Sequence, residues 1–135
     1  MADRSTDPTF TGSPYDTPVS SGLRFLMELI AWTAGPWAVA DLAGSWWAAV
    51  PAAAVLVAVP AMFSTRGDKR QAIVAVPGIV RLLIEIDLMT VAVVGAVIAW
   101  PIEAAVGAII IVAAAALTGI RRARWLAAGA PQVAG

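Results

Sequence analysis

Four apolar runs, each close to 20 residues long, dominate the hydrophobic pattern of the chain. They cover roughly residues 22–40, 45–63, 77–99 and 101–120. A helix needs about 20 mainly apolar residues to cross a bilayer, and lipid requires every backbone polar group to be bonded within the segment. The pattern therefore predicts an all-α integral membrane protein with four transmembrane helices.

Polar residues and prolines mark the start of each run. Ser20 or Ser21 is a suitable N-cap for the first helix, and Ser45 for the second. The third and fourth runs open on Pro77 and Pro101, and proline is favoured in the first turn of a helix. The links within each pair of runs are very short, so we expect two helical hairpins.

The flanks of the apolar region differ from it in composition. Residues 1–21 are rich in Pro, Ser, Thr and Asp, which predicts a flexible cytoplasmic tail or, alternatively, a tail that binds a partner. Residues 22–122 form the predicted transmembrane domain, and residues 123–135 a short cytoplasmic C-terminal tail. The N-terminal segment lacks the basic region and short apolar stretch of a signal peptide.

An Arg–Glu pair occurs twice, at the entrance of the first and third runs. Arg24 and Glu28 are repeated 57 positions later as Arg81 and Glu85. Both hairpins enter from the same side, so the repeat is parallel, with a pseudo-two-fold axis along the membrane normal. We predict a structural clasp in which Arg24 meets Glu85 and Arg81 meets Glu28. The alternative is a functional cluster: a gate, a proton relay or an ion site.

Asp87 has no counterpart in the repeat, because Ile30 occupies the matching position. An isolated acid deep in a membrane helix is a candidate functional residue. The structural alternative is that its carboxyl group is satisfied by Thr33, by Thr90 or by another subunit.

The basic residues predict the orientation. With four spans, every Lys and Arg outside the Arg–Glu repeat falls on one side: Arg4, Arg66, Lys69, Arg70, Arg121, Arg122 and Arg124. Cytoplasmic loops collect Lys and Arg, so we expect both termini in the cytoplasm of a bacterial cell and the chain in its plasma membrane. Arg121, Arg122 and Arg124 directly follow the fourth run and are candidates for contact with anionic lipid headgroups.

Composition narrows the chemistry. The chain is 60% hydrophobic and 13% charged, and it contains no His and no Cys. The missing residue types exclude His-ligated haem, iron–sulfur clusters, His/Cys metal sites and thiol nucleophiles. The sequence also lacks a nucleophile–base pair, a phosphate loop and a basic nucleic-acid motif. We therefore expect a protein that is not an enzyme, has no cofactor and binds no nucleic acid.

The first Arg–Glu segment also carries a family resemblance. Leu23-Arg24-Phe25-Leu26-Met27-Glu28-Leu29 and its echo at Arg81–Glu85 resemble the YrdB-like family of small four-helix bacterial membrane proteins. The resemblance covers residues 20–122. It implies a bacterial membrane location and a four-helix fold, and no mechanism.

Two functions fit these features. The first is an accessory or assembly subunit of a larger bacterial membrane complex, for which energy-transducing or respiratory complexes are natural hosts; its partners are other membrane subunits and the bilayer. The alternative is a small homo-oligomeric transporter or channel, in which Asp87 and the Arg/Glu cluster form the polar path. An ionised Arg beside each Glu disfavours proton exchange in the second case.

Overall fold

The computed structural model describes residues 15–64 and 74–130. The described part is almost entirely helical, which confirms the all-α class. Its elements in chain order are α1 (Pro18–Ala43), a 3-10 turn (Trp46–Ala48), α2 (Ala49–Met62), β1 (Phe63–Ser64), β2 (Val74–Ala75), α3 (Gly78–Ala99), α4 (Ile102–Thr118) and α5 (Ile120–Ala127). The two short strands pair in parallel, with Phe63 opposite Val74 and Ser64 opposite Ala75.

Helix α1 begins earlier than its apolar run. Thr17 is the N-cap: its hydroxyl accepts a hydrogen bond from the Ser20 amide at 3.1 Å, and the Ser20 hydroxyl accepts one from the Thr17 amide at 2.9 Å. This reciprocal capping box, with Pro18 in the first turn, starts the helix before the apolar residues do. The predicted cap at Ser20 or Ser21 is therefore wrong. Of the predicted tail, residues 1–14 lie outside the described residues.

The link between α1 and α2 is a tight turn. Gly44 ends α1 in the left-handed conformation, with φ of 65°, which a residue without a Cβ adopts at no steric cost. A 3-10 turn follows, and Ser45 makes no side-chain capping bond there. Pro51 consequently lies in the first turn of α2 and not inside a span, whereas Pro60 lies inside α2.

Helices α1 and α3 form the centre of the bundle and use the same face. Their buried positions match at the 57-residue offset of the repeat, as Ala31 with Leu88, Gly35 with Ala92, and Ala38 with Gly95. A Cβ on Gly95 would lie 2.9 Å from the carbonyl carbon and oxygen of Ala34. The backbones of the two helices therefore approach too closely for any larger residue at Gly95.

Two apolar layers give the direction of the helices. One layer joins α1, α3 and α4 through Met27, Ala31, Leu88, Ala92, Val112 and Ala115. The next joins the same helices through Ala34, Ala96, Ala105 and Ala108. Residue numbers rise from the first layer to the second on α1 and α3 and fall on α4. Helices α1 and α3 are thus parallel, as the repeat predicts, and α4 runs in the opposite direction.

Helix α5 is a feature that the hydrophobic pattern does not predict. The chain bends by 58° between α4 and α5, at Gly119. Helix α5 then packs on the first half of α3, where Trp125 and Leu126 are buried against Leu82. A Cβ on Gly78 would lie 2.1 Å from the Leu126 carbonyl oxygen, so the contact depends on glycine. The predicted tail at 123–135 is therefore helical as far as Ala127, and residues 131–135 lie outside the described part.

Length and composition identify α3 as one helix capable of crossing a membrane. The bent pair of α4 and α5 passes the same test together, and the apolar segment Trp46–Met62 is shorter. Helix α1 has 26 residues but carries Arg24, Glu28 and Asp41, and it does not pass. The described residues therefore contain one such span, or two if the bent pair is counted.

Candidate functional site

Charged side chains gather at the end of the bundle where α1 and α3 begin. Arg24 of α1 donates two hydrogen bonds to the two carboxylate oxygens of Asp16, each at 3.1 Å. This fork geometry fits a guanidinium to a carboxylate. The Arg24 side chain is 21% exposed and that of Asp16 is 14% exposed. The pair therefore ties the segment before α1 to the helix itself.

A second ion pair lies deeper in the same place. Arg122 of α5 donates through Nη1 to Oε2 of Glu85 on α3. Both side chains are almost fully buried, and the Arg122 Nε lies 4.0 Å from the nearer Asp16 oxygen. Asp16, Arg24, Glu85 and Arg122 form one connected group, the ionic cluster. It joins the N-terminal segment, α1, α3 and α5.

The ionic cluster differs from the predicted clasp. The predicted pair of Arg24 with Glu85 is wrong, because Arg24 binds Asp16 and Glu85 binds Arg122. The reason is the bend at Gly119, which brings α5 back to α3 and places its own cation beside Glu85. The predicted pair of Arg81 with Glu28 stays a prediction.

Arg81 has a specific structural contact at the end of α2. Its Nη1 donates to the carbonyl oxygens of Pro60 at 3.0 Å and Phe63 at 3.1 Å, and the residue is 2% exposed. The last carbonyls of a helix have no intrahelical donor, and a cation is favoured there by the helix dipole. Arg81 therefore caps α2 and fixes it against the start of α3.

A tryptophan completes the backbone bonding of α2. Pro60 has no amide proton, so the Leu56 carbonyl, four residues earlier, lacks its usual helical donor. Trp32 of α1 donates its indole Nε1–H to this carbonyl at 3.0 Å. The proline that interrupts α2 thereby creates a hydrogen bond between α1 and α2.

Asp87 lies apart from these contacts. It is exposed on α3 and makes no hydrogen bond or ion pair with any residue of the described ranges 15–64 and 74–130. Thr33 and Thr90 do not serve it, because each hydroxyl donates to a carbonyl four residues earlier in its own helix, Leu29 and Ile86 respectively. Two of the three predicted ways of satisfying the Asp87 carboxyl within the chain or complex are thus excluded, leaving another subunit.

An apolar groove borders Asp87. It runs between α2 and α3, has a volume of about 290 Å³, and is lined almost entirely by Val, Leu, Ile and Pro side chains. Asp87 is the one charged residue in its lining. We call this feature the Asp87 groove.

The arginines of α5 divide into two groups. Arg121 and Arg124 are exposed and remain available for lipid headgroups. Arg122 is 4% exposed and is bound to Glu85, so the prediction that it contacts lipid is wrong. The physical cause is the helical spacing of α5, which points Arg122, Trp125 and Leu126 towards α3 and the other arginines away from it.

The described residues offer no group of three or more His, Cys, Asp or Glu side chains that could hold a metal ion. Asp16 and Glu85 are each bound to arginine, and the carboxylate of Asp87 borders an apolar surface. This arrangement suits helix association better than acid–base chemistry. Comparison of the chain with family models, curated proteins and solved structures gives no match. The YrdB-like resemblance therefore stays a prediction.

Sequence reasoning missed three residues of this region. Asp16 stands in a segment whose composition resembles a flexible tail, and only its spacing of eight residues before Arg24 connects the two. Trp32 reads as an apolar core residue. Its role follows from Pro60, whose position leaves an acceptor on α2, although the sequence does not say which donor reaches it.

Proposed function

We propose that the chain is a multi-pass protein of the bacterial plasma membrane and a non-catalytic accessory or assembly subunit of a larger membrane complex. In this proposal α1, α2 with its 3-10 turn, α3 and α4 each cross the bilayer. The ionic cluster and both termini face the cytoplasm. Energy-transducing or respiratory complexes are the proposed hosts.

The main support is the outer surface of α3. This helix is long and apolar enough to cross a membrane, yet only 28% of its most apolar stretch is buried within the chain. The core helix of a water-soluble protein is mostly buried. Exposed Leu, Ile and Val side chains also cover the outer faces of α1, α2 and α4. An apolar surface of this extent suits lipid or other membrane helices.

The distribution of charge supports the proposed orientation. The arginines of the described part lie where α1 and α3 begin and α4 ends, whereas Asp41 and Glu103 lie at the opposite end. Excess Lys and Arg is typical of the cytoplasmic side. Trp46 and Trp47 are 67% and 84% exposed at the acidic end, as expected of tryptophans at a membrane–water interface.

The position of Asp87 supports a subunit that works with others. It lies nine residues into α3, about 14 Å along the helix axis, which is close to the bilayer centre for a spanning helix. A charged group facing hydrocarbon costs about 3 kcal/mol or more. A partner subunit that covers Asp87 removes this cost, so the free chain is incomplete in this proposal.

The alternative of a homo-oligomeric transporter has weaker support. Its polar path needs charged groups that are free to exchange partners. Arg24 is bound to Asp16, Glu85 to Arg122, and Arg81 caps α2. Those bonds suit a structural role for three of the four repeated charges. Asp87 alone remains as a candidate transport residue.

Purification in a mild detergent tests the proposal. A tagged chain expressed from its own locus should elute in a larger assembly, with defined partner subunits in a constant molar ratio. A scrambled-sequence membrane helix bundle with the same tag serves as the control for non-specific capture. A monomer without partners contradicts the proposal. A homo-oligomer that carries out a solute flux, lost in Asp87→Asn, supports the transporter instead.

A further inference from the structure

Asp87 marks one face of α3 as unfinished. Its carboxylate is exposed, has no polar partner among residues 15–64 and 74–130, and stands near the middle of a 22-residue apolar helix. The repeat does not require an acid there, since Ile30 occupies the equivalent position of α1. A carboxylate in hydrocarbon is rare and normally pairs with a cation or a hydrogen-bond donor.

The shape of the Asp87 groove fits a helix better than a compact molecule. Its α3 side presents Val80, Leu83 and Leu88 in line with Asp87, over about 12 Å of helix axis, which is slightly more than two turns. Val55 and Val59 of α2 form the opposite wall. A long, shallow and apolar trough of this kind accepts the side of another helix by ridge-into-groove packing.

A second copy of the chain does not provide the missing charge. A copy in the same membrane orientation would bring its own Asp87 to this depth, and two carboxylates repel each other. The arginines within the described ranges lie at the end of the bundle that carries the ionic cluster. The nearest along α3 is Arg81, about 9 Å nearer that end and committed to α2. The cation must therefore come from a different chain.

We propose that the Asp87 groove docks a transmembrane helix of a partner subunit, and that this helix presents a lysine or arginine at mid-membrane depth to Asp87. The inference rests on the proposed accessory function and adds to it the partner's chemistry and the place where it binds. The apolar walls supply packing along the helix, and the ion pair selects the partner and fixes its depth.

A binding assay with designed peptides tests the inference directly. The probes are Leu/Ala transmembrane peptides of about 20 residues with a central Lys, a central Leu, or the Lys moved to one end. The chain has no cysteine, so Ala127→Cys on the exposed side of α5 carries a single donor dye. Energy transfer to acceptor-labelled peptide is then titrated in phosphatidylcholine vesicles.

The central-Lys peptide should bind the native chain about tenfold more tightly than the central-Leu peptide. Asp87→Asn should abolish this preference and leave the melting temperature unchanged, because Asp87 holds no other residue of the described part. Glu103→Gln, an exposed acid at the end of the bundle, should preserve it. Asp87→Lys should reverse the preference towards a peptide with a central Glu.

Several results would overturn the inference. Equal binding of the central-Lys and central-Leu peptides removes the role of the charge, and a preference that survives Asp87→Asn places it elsewhere. Self-association that blocks the peptide identifies a second copy as the occupant. Displacement of the peptide by tetraphenylphosphonium, with the same dependence on Asp87, identifies a small cation site.

The two proposals fail separately. If the peptides show no preference but the tagged chain still purifies with stoichiometric partners, the accessory function stands and the assigned groove is wrong. If the peptides bind as expected but the chain purifies alone from native membranes, the groove stands and the accessory function is wrong.

Discussion

Breaking the ion pair between Arg122 and Glu85 should destabilise the protein strongly and loosen α5. The substitution Arg122→Met keeps the length of the side chain and leaves the Glu85 carboxylate buried without this guanidinium. The two side chains are 4% and 9% exposed, so solvent screens the pair very little. Removal of one member of a buried pair costs about 3–5 kcal/mol.

The structure also sets an upper bound on this loss. Helix α5 has eight residues and can leave α3, which returns Glu85 to water. Undocking exposes Trp125 and Leu126, at a cost of about 1.5–3 kcal/mol for each side chain. The two responses are of similar size. We therefore expect a loss of about 3–5 kcal/mol, accompanied by partial release of α5.

Two measurements follow the two responses. Unfolding in mixed detergent–SDS micelles gives the free energy of unfolding, and the trypsin cleavage rate after Arg121 and Arg124 reports the release of α5. The double substitution Arg122→Met/Glu85→Leu should recover most of the lost stability, because no unpaired charge remains buried. Arg121→Met is the matched control, since Arg121 is exposed on the same helix. Equal losses in Arg122→Met and Arg121→Met would refute a structural role for the pair.

Three further predictions concern the packing of the helices, each measured by the same unfolding assay. Gly95→Ala should cost about 1–3 kcal/mol, because its Cβ would meet the α1 backbone, whereas Gly107→Ala, which meets nothing within 4 Å, should be neutral or stabilise by up to about 1 kcal/mol; equal effects would contradict the close approach of α1 and α3. Trp32→Phe should cost about 1–2 kcal/mol, because the Leu56 carbonyl loses its donor; an unchanged stability would show that this carbonyl is satisfied otherwise. Arg81→Met should cost about 2–4 kcal/mol and increase hydrogen exchange at the end of α2, because two bonds to its carbonyls are lost; exchange that stays the same would argue against the cap.

The helices themselves are predictable from the sequence to a large extent. The predicted starts at Pro77 and Pro101 lie one residue before α3 and α4, because proline and an abrupt rise in hydrophobicity coincide there. The parallel arrangement of α1 and α3 follows from the repeated Arg–Glu pair. Whether four helices cross a membrane is a further step that the helix bounds alone do not decide.

The ionic cluster was less predictable, for physical reasons. Arg122 belongs to a basic run beside a span, which reads equally as a topology signal and as an ion-pair partner. The choice depends on the bend at Gly119 and on the contact between Gly78 and α5, and both are tertiary features. Asp87 is the opposite case, because its failure to match Ile30 in the repeat already distinguishes it in the sequence.

The proposed function depends on the claim that four helices cross the membrane with the ionic cluster on the cytoplasmic side. Single-cysteine labelling in intact bacterial cells tests it most directly, since the native chain has no cysteine. Ser45→Cys, in the link between α1 and α2, should react with a membrane-impermeant maleimide added outside. Arg121→Cys, on the exposed side of α5, should react only after the membrane is permeabilised. Labelling of both positions from outside, or release of the chain by a carbonate wash, would contradict the claim.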